Sequence, residues 1–148
     1  MKLKCLSTVV FITMFTLSCT QAVNKVVFYT SHEPKKLEAP FSDVVAYNGL
    51  LFLSGQVGID HSTRMLVEGG ITEETKQCIE NIKAVLGHHN SSLDKVIKCT
   101  VILRDIDDFA AFNEIYKTYF PNKPARTTFA ASGLALNASI EIEVIAAK

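Results

Sequence analysis

The sequence predicts an α+β domain, a mixed β-sheet with two helices packed on one face. Three observations predict it. Asn48-Gly49 alone separates two apolar runs, the strongest short hairpin signal. Two segments, 72–86 and 105–120, repeat apolar residues every three to four positions, as amphipathic helices do. Strand-like runs lie between and after them, at Val96 to Leu103 and at Ile140 to Ile145. A hairpin followed by two strand-linked helices builds one sheet covered on one side. The other face then needs a partner, and in a chain this short a second copy supplies it most simply.

The elements follow in order. Val26 to Tyr29 reads as a short strand before a polar loop that reaches Lys36. Val44 to Tyr47 and Leu50 to Leu53 form the hairpin, whose turn needs positive φ at Asn48 and Gly49. Ser54 and Gly55 leave its second strand, and glycine there permits close approach by a ligand or another chain. In the first helix Thr72 is a candidate cap, and Glu73 and Glu74 suit the positive helix end. Cys78, Ile79, Ile82, Val85 and Leu86 share its apolar face, and Gly87 ends it. Phe109, Phe112, Tyr116 and Phe120 line the second helix as a core stripe, and Pro121 and Pro124 stop it. Ile140 to Ile145 alternates apolar and acidic residues, a strand with one buried face.

The N-terminus is different in kind. Lys2 and Lys4 precede an uncharged apolar run from Leu6 to Leu17, and Ser18-Cys19 follows. This is the layout of a secretory signal, and the run is too short for a comfortable membrane span of ~20 residues. Leu17-Ser18-Cys19 also resembles a bacterial lipobox, with Thr16 where Leu is usual. The expectation is a signal segment at 1–18, lipid on Cys19, a domain at 19–148 and a location outside the cytoplasmic membrane. Removing residues 1–18 takes away two Lys and no acid, so 15 basic and 15 acidic residues become 13 and 15, a net charge of −2. That balance argues against a nucleic-acid partner. Cys78 and Cys99 have no metal-ligand spacing and read as buried free thiols, with a disulfide as the other reading.

Several site types lack support. No His, Cys and carboxylate cluster has metal spacing, and His88-His89 reads as a solvated pair at a helix end. Gly69-Gly70 lacks the Lys and spacing of a phosphate loop, and no Gly-x-Ser-x-Gly elbow occurs. Arg126 follows a Pro-Ala turn at a loop-to-strand junction. It is either a surface charge or a fork that grips a carboxylate through two parallel hydrogen bonds. Glu141 and Glu143 share a strand face, which is either its wet side or a source of a catalytic carboxylate.

Four stretches together carry a family resemblance. They are Leu53-Ser54-Gly55-Gln56, the helix segment Asp105 to Tyr116, Phe120-Pro121 through Pro124-Ala125-Arg126-Thr127-Thr128, and Ile140 to Ala146. In this order and spacing, over nearly all of the chain after Glu38, the sequence resembles the reactive-intermediate deaminase (RidA/YjgF) family. The resemblance implies a chorismate-mutase-like fold and a homotrimer with three clefts between subunits. It implies hydrolysis of 2-imino and enamine acids to 2-oxo acids and ammonia. Arg126 would hold the substrate carboxylate and Glu141 would position the attacking water. Phe41, Ser54, Gly55, Asn113 and Thr128 would line the pocket. Phe41 stands where many members carry Tyr, and Thr128 where many carry Cys, which bears on substrate range. No metal or cofactor is expected, because an iminium carbon is already electrophilic. The partners expected are the small imino acid, further copies of the chain and, through lipid on Cys19, a membrane. Two other readings share the fold: a ligand-binding or chaperone-like module without turnover, and a ribonuclease or translation inhibitor.

Overall fold

The hairpin forms where Asn48-Gly49 demands it. The computed structural model describes residues 25–148; the expected signal segment and Cys19 lie outside them. Val44–Tyr47 (β2) pairs antiparallel with Leu50–Leu53 (β3), and Asn48 and Gly49 take φ of 51° and 75°. Val27–Tyr29 (β1) adds outside β2. Gln56–Val57 (β4) follows β3 after two residues. The remaining strands are Val96–Leu103 (β5), Ala125–Ala130 (β6) and Ile140–Ala147 (β7). The sheet runs β1-β2-β3-β7-β5-β6, with β4 also on β7. Only β5 and β6 are parallel, so the sheet is mixed, as expected.

Both helices, Gly70–His88 (α1) and Phe109–Tyr119 (α2), cover the same face. Alternate residues of β7 (Ile140, Ile142, Val144, Ala146) and β5 (Cys99, Val101, Leu103) meet Cys78, Ile79, Ile82, Val85 and Leu86 of α1 and Phe112 and Tyr116 of α2. The other residues of these strands, among them Thr100, Ile102, Glu141 and Glu143, face away from the helices with Phe52 and Phe28. Phe28 is 70% exposed there, so the second face holds uncovered aromatic surface. Cys78 and Cys99 are buried free thiols.

Several details differ from the sequence reading. The first helix begins at Gly70, not near Thr72, because Gly69 and Gly70 both take positive φ and turn the chain into it. Glu74 does not face the helix end. Its buried carboxylate accepts from Ser139 N at 2.7 Å and Ser139 Oγ at 2.8 Å, tying α1 to the start of β7. The helix runs through Gly87 to His88 and stops as Asn90 turns left-handed. His88 and His89 are not simply solvated: His88 stacks on His32 at 4.9 Å, and His89 packs on Tyr29 at 4.6 Å. Residues 106–108 make a 3₁₀ turn ahead of α2, held by the Asp105 carboxylate accepting from Asp107 N. β6 and β4 escape a reading by apolar periodicity, since β6 is a polar edge strand and β4 has two residues.

Candidate functional site

The predicted residues fall into two groups, on opposite faces of the sheet. The first lies where β6 meets α2. Arg126 pairs with Cys99 across the parallel ladder, so both point to the helix side. β6 is the edge strand, and the guanidinium there meets α2 instead of the core. Its Cζ lies 4.5 Å from the Tyr116 ring centroid, 5.1 Å from Phe112 and 5.7 Å from Phe109. Such ring faces attract a cation and limit where it points. The expected core stripe is therefore also a cage for Arg126. The cage is itself anchored: Tyr116 Oη donates to Cys99 Sγ at 3.3 Å. Burial, then the Cys99 thiol, pushes the Tyr116 hydroxyl up, so it stays a neutral donor.

A cleft of about 510 Å³ opens beside Arg126, lined by Asn113, Tyr116, Lys117, Phe120 and Lys123, with Pro121 and Pro124. Thr128 lies two residues along β6 on the same face, and its buried Oγ1 has no hydrogen-bond partner among the described residues. A buried unpaired hydroxyl costs about 1–3 kcal/mol. The cleft presents one fixed fork and several apolar walls, which suits a small carboxylate.

The second group lies on the face without helices. Ser54 and Gly55 bridge β3 and β4, and Ser54 Oγ donates to Ser42 O at 2.7 Å. Its N–H donates to Asp43 O at 3.0 Å, so the Ser54 segment is fixed to the loop that carries Phe41. Phe41 is half exposed, with Lys36 Nζ 5.8 Å from its ring centroid. Glu141 stands on β7 between Val57 of β4 and Ile102 of β5. Its carboxylate rests on Gly55: a Cβ there would lie 1.9 Å from Oε1. Any larger residue would push the carboxylate aside. Partial burial, and secondarily Glu143, pushes the Glu141 carboxyl above its ordinary 4.5. Among the described residues no ion pair engages it. A half-buried carboxylate without a cation is a candidate base.

The structure thus brings Arg126 and Asn113 together in the cleft, with Thr128 further along the same face of β6, and separately Ser54, Gly55 and Glu141, with Phe41 on the adjoining loop. It does not bring Arg126 and Glu141 into one site within a chain. Phe109, Phe112, Tyr116, Lys117 and Lys123 are additions that the sequence reading did not place. The three- and four-residue spacing of the rings was the available signal, but linking them to Arg126 requires the β5–β6 pairing.

Known proteins agree with this architecture. Residues 30–148 match the family described as Endoribonuclease L-PSP. A RutC family protein of Pyrococcus abyssi is 43% identical over 84% of this chain and 98% of its own. The 2-iminobutanoate/2-iminopropanoate deaminase of Rattus norvegicus is 42% identical over 81% of this chain and 88% of its own. The crystal structure of YyfA, a protein of unknown function of the conserved Rid family from Yersinia pestis, superposes with a TM-score of 0.78 at 35% identity, covering 84% of this chain and 100% of that one. With the matched region spanning both halves of the site, the chain belongs to the RidA/YjgF (Endoribonuclease L-PSP) family.

Proposed function

We propose that the protein hydrolyses 2-imino and enamine acids to 2-oxo acids and ammonia. The observation that carries this reading is Arg126, held by three rings beside an open cleft and without a carboxylate partner among the described residues. Relatives that are named imine deaminases support it. The fork binds the substrate carboxylate in two parallel hydrogen bonds. Thr128 and Asn113 contact the bound acid. An enamine first tautomerises to the imine; Glu141 then accepts a proton from water, the hydroxide adds to the C=N carbon, and nitrogen takes up the proton from Glu141 and that of the new hydroxyl as C=O forms and the C–N bond breaks. The net reaction consumes one water and releases one ammonia. Fixing the substrate by its carboxylate lowers the barrier through orientation, and base assistance contributes about 10²–10⁴-fold.

Arg126 and Glu141 face opposite sides of their own sheet, so this reading places each site between two subunits. Arg126, Asn113 and Thr128 come from one copy. Glu141, Ser54, Gly55 and Phe41 come from the next. A closed ring of three copies would bury Phe28, Phe52 and their neighbours at its centre and leave three clefts. We also propose export, with residues 1–18 removed and Cys19 lipidated. Membrane retention of the native chain and release of a Cys19→Ala variant would support that arm.

An amino-acid oxidase supplying imines, with semicarbazide competing for them, tests the reaction. Faster 2-oxo acid formation that vanishes in Arg126→Ala supports a deaminase. A folded oligomer that binds carboxylates but accelerates no imine is a binding module instead.

A further inference from the structure

The Arg126 cleft holds more positive charge than one carboxylate needs. Arg126, Lys117 and Lys123 line it, and no acidic side chain among the described residues does. Lys117 is matched by Glu114 one turn earlier on α2. Lys123 is engaged by no ion pair among the described residues. Its backbone is unusual. Lys123 takes φ of 52°, a region that favours Gly and Asn, and it precedes Pro124, which also disfavours that fold of the chain. Its N–H donates to Phe120 O at 3.1 Å, closing a tight turn around Pro121. Strain of this kind persists where the surroundings over-determine it, and it gathers at ligand sites. Here it sets a cation on the rim of the cleft, three residues from the fork of Arg126. Three residues span at most ~10 Å of chain, and both side chains are long.

We propose that Lys123 is a specificity-determining residue that receives a second carboxylate, so that the favoured substrates are 2-imino dicarboxylic acids of four or five carbons. The inference rests on the deaminase reading of the same cleft. One carboxylate sits in the Arg126 fork, the chain of the acid lies along Tyr116 and Phe120, and the distal carboxylate pairs with Lys123. An acid with an apolar end leaves that charge unmatched.

The test compares two stable product acids of equal length, 2-oxoglutarate and 2-oxopentanoate, by calorimetry on the native oligomer at low salt. 2-Oxoglutarate is expected to bind about fivefold tighter, the upper range for an exposed ion pair. The ratio falls to about one in Lys123→Gln and narrows as salt is raised. Equal affinities in the native protein, or a preference that survives Lys123→Gln, overturn the proposal. Turnover of the matching imines separates the two readings. If neither imine is hydrolysed, the deaminase fails, while the affinity ratio still decides Lys123. If neither acid binds, the Lys123 proposal falls and turnover of the imines alone decides the deaminase.

Discussion

The two halves of the candidate site are built on opposite principles. Around Arg126 the protein surrounds a permanent charge with rings, Phe109, Phe112 and Tyr116, which hold it without neutralising it. Around Glu141 it strips a carboxylate of part of its water, places it on Gly55 and sets a second acid, Glu143, nearby. The first half offers a planar fork of donors and suits binding. The second has a proton affinity raised by its surroundings and suits proton transfer. They lie on opposite faces of one sheet, so in the proposed reading a single chain carries both halves of the site and completes it only with a second copy.

Substitutions should separate the halves, beginning with the largest effect. Arg126→Ala should lower kcat/KM by about 10³-fold, because the carboxylate loses a charge-assisted bidentate partner. Arg126→Lys should recover little, since an ammonium lacks the planar fork. Steady-state kinetics on one imine checks both, and near-native activity in the alanine variant would remove Arg126 from the site. Glu141→Gln should lower kcat by at least ~10²-fold with KM nearly kept, the pattern of a group used in the reaction step. Gly55→Ala should follow it in direction by about tenfold or more, because the new Cβ occupies the place of the carboxylate. If Gly55→Ala raised KM alone, the contact with Glu141 would be irrelevant to turnover. Tyr116→Phe removes the hydroxyl that donates to Cys99 and should cost about 1 kcal/mol of stability by denaturant titration, with the ring and the Arg126 contact intact.

The smallest effects concern pH. As the proposed base Glu141 must be ionised, and its carboxyl titrates above 4.5, so kcat/KM should fall as pH drops through that raised value. Glu143→Gln removes the lesser of the two causes and should shift this limb slightly down. Stability runs the other way. Between 4.5 and the raised value the folded state holds a proton that the unfolded state has lost, so stability decreases as pH rises through that window. Glu141→Gln should therefore melt above the native protein at pH 7, with the gap closing below pH 4.5. Melting curves across that range measure it, and a variant that melts lower at pH 7 would mean that Glu141 is a structural charge.

Local chemistry made much of the fold legible. Asn48-Gly49 marked the hairpin, and the apolar run from Val96 to Leu103 marked β5 to its last residue. Boundaries set by backbone conformation were less accessible: Gly69 and Gly70 start α1, and Asp105 delays α2. β6 was invisible to periodicity because Arg126, Thr127 and Thr128 interrupt the apolar alternation on both faces of this edge strand. That strand decides the site. Without the parallel register of Cys99 with Arg126, neither the ring cage nor the separation of Arg126 from Glu141 can be read. Residue identities pointed to the parts, but only long-range pairing showed that the parts face apart.

The claim that each site joins two subunits is tested most directly by mixing two inactive variants. Arg126→Ala and Glu141→Gln, co-expressed in equal amounts and purified together, assemble at random. In a ring of three, any mixed assembly holds one site with both native residues, so activity should return to about a quarter of native. Activity no higher than that of the separate variants would contradict a shared site and return both functions to a single chain.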